Sequence, residues 1–292
     1  MGYMHISNLY KDNTIQMFRE CYALEKVHGT SAHVGYRNTP TEPENLIFFS
    51  GGEKRETFLK IFDEAKLLGL FRERGCTDIT LYGEAYGGKM QRMSETYGVT
   101  PKFVVFDVRI GDKWCDVPVA ERLALAMGLE FVAYEKVSTN QESLDAERDR
   151  PSRQAIRNGC GIDKKAEGVV LRPLKELTDN RGNRIMCKHK RADFSERASK
   201  ADTVAPEKAK ILADAQAIAE EWVTPMRLEH VVDHLKAELQ RELTMADLST
   251  LIQAMVEDVF REGAGEIVES KEARKAVGAK CAILFRRGAQ SD

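Results

Sequence analysis

The pattern of apolar residues changes near residue 200, and this change constrains the fold more than any other feature of the 292-residue chain. Before it, short β-rich runs alternate with turns and a few helices, whereas after it the periodicity is helical almost throughout. Strand-rich sequence followed by helical sequence is typical of an α+β domain joined to a second, helical one. We therefore predict domains over 1–200 and 201–292, with Glu196–Ala205 as the linker and Pro206 in the first turn of a helix.

Local periodicity predicts the elements within each domain. In the first domain, apolar runs predict strands at Tyr22–Lys26, Ala32–Tyr36, Leu46–Phe49, Ile79–Tyr82, Phe103–Val108, Phe131–Tyr134, Gly168–Leu171 and Ile185–Lys190. Helical spacing from Phe58 to Leu68 predicts a helix that Gly75 ends, and further helices are predicted over Val119–Met127 and over 140–158 with an interruption at Pro151. In the second domain we predict helices over 206–221, 225–240, 244–262 and 266–280, with Thr244 as an N-cap and Gly263 as a stop.

The composition excludes several classes of protein. Apolar residues make up 42% of the chain, enough for a sizeable core, and no window holds the ~18 consecutive apolar residues of a membrane span. The first residues show no basic stretch followed by an apolar one, so we expect no secretory signal. No two of the six cysteines have C-x-x-C spacing, which argues against a zinc site and favours reduced thiols in a cytoplasmic protein.

Charge is distributed unevenly, although the whole chain carries only −2. Residues 201–292 hold 12 basic and 17 acidic side chains, whereas residues 1–200 hold 32 basic and 29 acidic ones. We therefore expect a polyanion to bind the first domain rather than the second.

The segment Glu25-Lys26-Val27-His28-Gly29-Thr30 follows the first predicted strand and contains a possible nucleophile. An ammonium group has no lone pair, and free lysine titrates near ~10.4, so a reactive lysine needs burial or nearby cations to lower its pKa. A glycine three positions later permits a tight turn in which the backbone approaches a phosphate closely. The same K-x-x-G spacing also fits a solvated lysine at the end of a strand.

Two further segments carry groups suited to a nucleoside. Glu84, in a glycine-rich turn after a strand, can reach ribose hydroxyls or a metal, or can be an ordinary surface carboxylate. On the apolar strand Phe103–Val108, one phenylalanine could stack on a base, a contact worth ~1–3 kcal/mol, although core packing suits Phe103 better. Asp107 on the same strand needs a partner, because a buried carboxylate without one is costly.

Two segments near the end of the first domain suit a bound triphosphate. Glu167 opens an apolar strand and could bind Mg²⁺, which usually takes only one or two protein carboxylates; alternatively it is an exposed residue paired with Arg172. Lys188 and Lys190 lie on one face of a predicted strand, ~6.5–7 Å apart, where an anion between them would relieve their repulsion. A basic strand edge that only discourages aggregation has the same pattern.

Taken in order, these segments resemble the motifs of the covalent nucleotidyltransferase superfamily, which includes ATP-dependent DNA and RNA ligases and mRNA capping enzymes. The histidine in EKVHGT, and Phe194-Ser195-Glu196 after the Lys-x-Lys strand, are similar to the RNA ligase 2 family. The resemblance covers about residues 20–197. It implies an α+β nucleotidyltransferase domain, built from ATP-grasp-like antiparallel sheets with flanking helices, followed by a small all-α domain.

The resemblance implies catalytic roles for four residues. Lys26 would attack the α-phosphorus of ATP and become adenylylated. Glu167 would bind or orient the metal, and Lys188 and Lys190 would hold the α-phosphate and its developing charge.

The resemblance also implies a nucleotide-binding set. Glu84 would contact the ribose and contribute to the metal site, and Phe106 would stack on adenine. The family has an arginine after the second strand, which we assign to Arg55, with Arg37 as the alternative. The implied ATP-binding residues are Glu25, Lys26, His28, Gly29, Arg55, Glu84, Phe106, Glu167, Lys188 and Lys190.

The function implied by this resemblance is ATP-dependent RNA ligation. A 5′-phosphate and a 3′-hydroxyl RNA end would be joined through a lysyl-AMP and an adenylylated 5′ end. We expect ATP and Mg²⁺ as cofactors, with Mn²⁺ as a substitute, and nicked duplex RNA as the partner of a monomer without membrane association. A DNA ligase, a GTP-dependent capping guanylyltransferase and an inactive nucleic-acid-binding module stay as alternatives; His28 and the helical texture after residue 205 favour the RNA ligase.

Overall fold

The computed structural model describes residues 2–194 and 215–288 of the chain. Contacts divide the chain into two units, Met1–Arg191 and Ala192–Asp292. The predicted linker Glu196–Ala205, the helix start at Pro206 and the predicted domain boundary between residues 200 and 201 lie outside the described residues.

The first unit contains antiparallel sheets with flanking helices, which confirms the predicted α+β fold class. Its strands are β1 Glu20–Lys26, β2 Thr30–Arg37, β3 Asn45–Ser50, β4 Asp78–Tyr86, β5 Lys102–Ile110, β6 Lys113–Trp114, β7 Glu130–Phe131, β8 Tyr134–Ser138, β9 Gly168–Pro173 and β10 Cys187–Lys190. Its helices are α1 Arg55–Leu59, α2 Glu64–Glu73, α3 Ser94–Tyr97, α4 Val117–Ala126, α5 Gln141–Arg148 and α6 Arg153–Arg157.

The strands form a smaller sheet of order β10-β9-β1-β8 and a larger sheet of order β3-β2-β4-β5-β6, with β7 parallel to β5. Side chains alternate between the two faces of a strand. On β1, Leu24 packs into the main core with residues of the larger sheet, whereas Cys21 and Ala23 pack into a separate small core. Lys26 continues the phase of Leu24, so its side chain starts on the face turned toward the larger sheet.

The prediction of a single helix between Phe58 and Gly75 is wrong, because the structure has two helices there, α1 and α2. Asp63 lies between them, and its side chain accepts a hydrogen bond from the backbone N–H of Lys66 at 3.0 Å. This N-cap starts a new helix even though the apolar spacing runs on across it. The interruption predicted at Pro151 is present, since it separates α5 from α6.

The strand predicted over Phe131–Tyr134 is also wrong, because this run is shared between two sheets. β7 pairs with β5 of the larger sheet, whereas β8 pairs with β1 of the smaller sheet. Between them, the Val132 N–H donates to the Val105 carbonyl at 2.9 Å and the Ala133 carbonyl accepts from the Glu25 N–H at 2.8 Å. A short apolar run that passes from one sheet to the other has the same sequence pattern as a single strand, because the run is buried in both sheets.

The described residues of the second unit form helices and no strand, as the sequence predicts for this domain. The helices are α7 Ala215–Trp222, α8 Pro225–Leu239, α9 Leu248–Glu262 and α10 Lys271–Gly288. Thr244 forms the predicted cap as part of a capping box with Asp247, and a 3₁₀ turn follows before α9 begins. The helix predicted over 266–280 instead begins after Ser270, whose hydroxyl accepts from the Ala273 N–H at 3.0 Å. Within the described ranges, no helix is long and apolar enough to cross a membrane.

A buried carboxylate links the two sheets of the first unit. Asp107 of β5 is fully buried, and its Oδ1 accepts from Arg172 Nη1 of β9 at 2.9 Å. Its Oδ2 accepts from Arg184 at 2.6 Å and from the Tyr3 hydroxyl at 2.6 Å. Asp107 thus has the partner that we expected for a carboxylate on an apolar strand. That partner is Arg172, which the sequence had suggested as a partner of Glu167.

Replacing this carboxylate should destabilise the first unit strongly. Asp107→Asn removes the negative charge from two buried guanidinium groups, and breaking a buried pair in this way costs about 3–5 kcal/mol. Urea unfolding followed by circular dichroism measures the effect. Lys175→Gln is the matched control, because it breaks the ion pair of the exposed Lys175 with Asp116 and should change the stability far less than Asp107→Asn does. Equal losses in the two variants would contradict the role of Asp107.

Candidate active site

Three adjacent strands of the smaller sheet bring Lys26, Glu167 and Lys190 together. Lys26 ends β1, Lys190 ends β10, and both pair in register with Gly168 at the start of β9 between them. Glu167 precedes Gly168, so its side chain lies between the two lysines. Lys26 Nζ is 2.9 Å from Glu167 Oε2, and Lys190 Nζ is 2.8 Å from Glu167 Oε1.

The carboxylate at the centre of this cluster is charged although it is buried. The Glu167 side chain is only 1% exposed, and His28 Nδ1 lies 3.1 Å from its Oε2. Burial by itself raises the pKa of a carboxyl group, but the positive charges of Lys190 and Lys26 and the hydrogen bond with His28 hold the pKa of Glu167 well below its usual range. Glu167 therefore fixes the positions of two ammonium groups that would otherwise repel each other.

Gly168 makes the close packing of these strands possible. Its φ is +147°, a conformation that favours glycine. A Cβ at this position would lie 2.2 Å from the carbonyl oxygen of His189 on β10. Any larger residue would therefore push β10 away from β9 and move Lys190 away from Glu167.

Lys188 and Lys190 share one face of β10, as predicted, and His189 occupies the other face. His189 Nε2 is 2.6 Å from Asp145 Oδ1 on α5, behind the smaller sheet. Burial lowers the pKa of His189, so its ring is neutral near pH 7 and adds no charge beside the two lysines. The alternation directs both lysines to the same side as Lys26.

The turn between β1 and β2 packs against the end of β4. A Cβ on Gly29 would lie 2.3 Å from the carbonyl oxygen of Ala85, so only glycine permits this approach. The His28 N–H donates to the Tyr97 hydroxyl at 3.2 Å. Glu84 pairs with Ser31 next to this turn, so the structure brings Glu84 to the same end of the larger sheet.

The structure does not bring the Glu25 carboxylate to this cluster. Its Oε1 accepts from the Ser152 hydroxyl at 2.6 Å, and its Oε2 accepts from the N–H groups of Arg153 at 2.9 Å and Gln154 at 3.1 Å. Glu25 thus binds the start of α6 on the opposite face of β1 from Lys26. The assignment of Glu25 to ATP contact is corrected accordingly, because neighbouring residues on a strand point to opposite faces.

The two phenylalanines of β5 have different surroundings. Phe103 is buried, with its ring centroid 5.6 Å from that of Phe58 and 5.5 Å from that of Phe62, so it belongs to the core. The register between β4 and β5 shifts at Tyr82, and Phe106 falls at this bulge without a paired residue on β4. Bulges re-aim side chains. Phe106 is half-buried, and its ring contacts the ring of Tyr3 edge-on, with 4.9 Å between the two ring centroids.

The structure separates the two arginines considered for the nucleotide. Arg37 lies at the far end of β2, ~23 Å along the strand from Thr30, and its guanidinium is 2.6 Å from Asp78 Oδ1. Arg37 is therefore not at the site. Arg55 is exposed at the start of α1, after a loop whose Gly51 N–H donates to the Ser31 carbonyl at 2.9 Å. This loop lies at the site end of the larger sheet, so Arg55 is the better placed of the two.

Sequence reasoning missed several residues at the margin of the site. Tyr97 supports the β1–β2 turn from α3, and Tyr3 contacts Phe106 and Asp107. Nothing in the sequence links Tyr3 or Tyr97 to residues so distant along the chain.

The acidic residues fit a divalent cation only if substrate supplies most of the ligands. Among the residues that the structure describes, no group of three or more His, Cys, Asp or Glu side chains could hold a metal ion. Glu167 is one buried carboxylate, and its two oxygens contact Lys26, His28 and Lys190. Mg²⁺ commonly binds through one or two carboxylates together with phosphate oxygens, which matches this donor set.

Comparison with known proteins agrees with this architecture. Residues 19–190 match the sequence model of a protein family that is described as RNA ligase. Among solved structures, Naegleria gruberi RNA ligase with PPi is similar, with 16% identity, a TM-score of 0.50, and coverage of 66% of this chain and 57% of that chain. A mutant of the same ligase with AMP and Mn has 15% identity, a TM-score of 0.50, and the same coverage of 66% and 57%.

These structural matches show a shared fold. The chain spans 57% of the length of the Naegleria gruberi ligase chains that it matches. A search of curated proteins found no match.

A methyl group at Gly168 should disrupt the cluster of Lys26, Glu167 and Lys190. Gly168→Ala adds a strained φ and a clash with the His189 carbonyl, together worth about 2–5 kcal/mol of lost stability. Urea unfolding and the pH dependence of Glu167, followed by carboxylate NMR, report the change. Gly69→Ala in α2 is the matched control, because a Cβ there meets nothing within 4 Å and should stabilise the helix by about 0.5–1 kcal/mol. Wild-type stability in Gly168→Ala would contradict this reading of the strand packing.

Proposed function

The chain belongs to the RNA ligase family, and from this membership we propose that it is an ATP-dependent RNA ligase. The observation that carries the proposal is the placement of Lys26 and Lys190 within hydrogen-bond distance of the same buried carboxylate, Glu167. The relatives were solved with PPi, with AMP and Mn, and with ATP and Mn, and these are the ligands expected of this chemistry. ATP and a divalent cation are therefore the proposed cofactors, with Mg²⁺ as the metal and Mn²⁺ as its substitute.

In the proposed first step, Lys26 Nζ attacks the α-phosphorus of ATP. Attack needs a neutral Nζ, so Lys26 first releases its ammonium proton to solvent. A nitrogen–phosphorus bond then forms, the bond from the α-phosphorus to the bridging oxygen breaks with its electron pair going to the departing pyrophosphate, and Nζ releases a second proton to solvent. Glu167 Oε2, 2.9 Å from Nζ, orients the nitrogen for this attack. A covalent lysyl-AMP divides one difficult displacement into easier steps.

The basic residues around Lys26 stabilise the charge that develops on phosphate. Lys188 and Lys190 share the face of β10 that is turned toward the larger sheet, where they would bind the α-phosphate oxygens. Fixed cations aimed at the developing charge are among the largest contributions to such a reaction. A bound Mg²⁺ would polarise the phosphate oxygens, with Glu167 as its protein ligand and Glu84 as a second candidate.

The nucleoside would occupy the space between the two sheets. Phe106, re-aimed by the bulge in β5, would stack on the adenine base. Glu84 would contact the ribose hydroxyls, and Arg55 would reach the phosphates from the loop after β3. His28 and Gly29 would hold the phosphate side of the turn, close to Glu167. Glu25 would act indirectly, by fixing α6 behind β1.

The later steps would act on RNA ends. AMP would pass from Lys26 to the 5′-phosphate of one strand, and a 3′-hydroxyl would then attack that phosphate and release AMP. We propose that the substrate is nicked duplex RNA with these ends, and that the enzyme works as a monomer in the cytoplasm. The six cysteines are free thiols, which fits a reducing compartment.

We further propose that residues 1–200 form the adenylyltransferase domain and that residues 201–292 act on RNA rather than on ATP. The candidate nucleotide residues all lie in the first unit, Met1–Arg191, which supports this division.

Removing the proposed nucleophile should abolish the first step. Lys26→Ala should form no labelled protein when incubated with ATP labelled at the α-phosphate and Mg²⁺, followed by denaturing electrophoresis. The same variant should still seal a strand that is already adenylylated, because the last step no longer needs the lysine. Lys136→Ala is the matched control, since Lys136 is an exposed lysine on β8 of the same sheet and should label normally.

The same assay separates the alternatives. Labelling of Lys26→Ala would refute the assignment of the nucleophile. Labelling by GTP in place of ATP would indicate a capping reaction. If neither nucleotide labels the wild-type chain, its intact mass shows no bound AMP, and pyrophosphate releases none, the chain is a binding module.

Deleting residues 201–292 should separate the two proposed domains. Lysyl-AMP formation should persist, because every candidate nucleotide residue remains. Sealing of nicked RNA should fall, because the helical domain would no longer orient the ends. Gel analysis of both reactions on the same preparation measures the two effects, and unchanged nick sealing would refute the role of the second domain.

A further inference from the structure

The second unit carries its charges in two separate regions. Residues 215–270 contain four basic and twelve acidic side chains. The last helix, α10, reverses this balance, since Lys271–Gly288 contains six basic residues and one acidic residue, Glu272. The second unit is therefore acidic in total, although its last helix is strongly basic.

Five of the six basic residues of α10 belong to two groups. Arg274 pairs with Glu269, and Lys280 pairs with Glu220 of α7, so acidic residues of the same unit neutralise both. Lys271, Lys275 and Arg286 are exposed, and in the described part of the chain none of the three takes part in an ion pair. These last three define what we call the basic stripe.

The basic stripe lies opposite the face by which α10 packs. At 3.6 residues per turn, its three residues fall within an arc of about 60°. Ala273, Val277 and Cys281 are fully buried in the core on the other side of the helix. The stripe runs for ~22 Å along the axis, because each residue of a helix advances ~1.5 Å. Ala279, which is exposed, and half-buried Ala282 lie between Lys275 and Arg286, so no long side chain interrupts the surface there.

We propose that the basic stripe of α10 binds the phosphate backbone of duplex RNA. Charge complementarity supports this site: three cations on one helical face, none of them paired with an acidic residue in the described ranges, match a polymer that carries a negative charge at every nucleotide. The apolar side of α10 is used in the core of its own unit, so the helix has no free apolar face for inserting into a membrane surface. Backbone contacts of this kind position a duplex without reading its sequence.

This inference rests on the proposed function for its choice of RNA, but it is tested without ATP. The triple variant Lys271→Ala, Lys275→Ala, Arg286→Ala removes the stripe from the full-length chain. Binding to a fluorescent nicked RNA duplex is measured by anisotropy between 50 and 200 mM salt. Dissociation constants should rise on the order of 10-fold or more at 50 mM salt, and the salt slope of log K should decrease by about 3, near one unit for each lost phosphate contact.

A second triple variant provides the matched control. Lys236→Ala, Arg274→Ala, Lys280→Ala removes the same number of positive charges from the same unit, but all three residues are ion-paired in the structure. RNA affinity and salt slope in this control should stay within about twofold of wild type. A single Lys275→Glu variant, which changes one exposed side chain, gives the same directional test if the triple variant fails to fold.

The outcomes distinguish local phosphate contacts from a general effect of net charge. Equal weakening in both triple variants would overturn the proposal, because it would show that only the total charge matters. Wild-type affinity and slope in the stripe variants would also overturn it, and would leave an acidic protein as the alternative partner. Lysyl-AMP formation, measured without RNA, should be the same in wild type and all these variants; its failure in wild type would refute the proposed ligase activity while leaving the RNA-binding result intact.

Discussion

The buried charge of Glu167 is the interaction on which the arrangement of the candidate site depends. A carboxylate that is 1% exposed stays ionised only where cations and hydrogen-bonding groups surround it, and Lys26, Lys190 and His28 contact it here. Lys26 and Lys190 come from different strands, so the carboxylate holds the ends of β1 and β10 in a fixed relation. Gly168 makes this possible, because a side chain at its position would separate the strands.

A second buried carboxylate, Asp107, has a different environment in the same unit. Its partners are Arg172 and Arg184, which carry planar guanidinium groups, stay charged under all ordinary conditions and are themselves buried. The pair that links the sheets is therefore made with arginines, whereas the pair at the candidate site is made with lysines that remain partly exposed. Lysine ammonium groups are mobile point charges that can exchange a carboxylate for a phosphate. Arginine partners thus suit a contact that holds the fold together, whereas lysine partners suit a contact that must change during a reaction.

Much of the fold and of the candidate site could be predicted from the sequence, and the wrong predictions have physical causes. The order and spacing of the polar motifs indicated Lys26, Glu167 and Lys190, and the structure brings these three together. Glu25 was assigned to the nucleotide, and Arg37 was considered as the alternative to Arg55, because both lie near the motifs in sequence. Strand alternation turns Glu25 to the opposite face, and the length of β2 carries Arg37 to the far end of the sheet. The total charge of the second unit does not reveal the basic face of α10, because the acidic residues of 215–270 outnumber it.

Periodicity alone established that a strand-rich domain precedes a helical one, because apolar spacing reflects which face of each element is buried. Residue types and their order were enough to suggest a lysine nucleophile with phosphate-binding lysines, since that chemistry needs those groups. The tertiary structure alone decided which strands become neighbours, and so that Lys26 and Lys190 share one carboxylate across β9. It also decided that Arg172 binds Asp107 rather than Glu167. The Arg172–Asp107 and Lys26–Glu167 pairs join residues 65 and 141 positions apart, and no local pattern encodes such contacts.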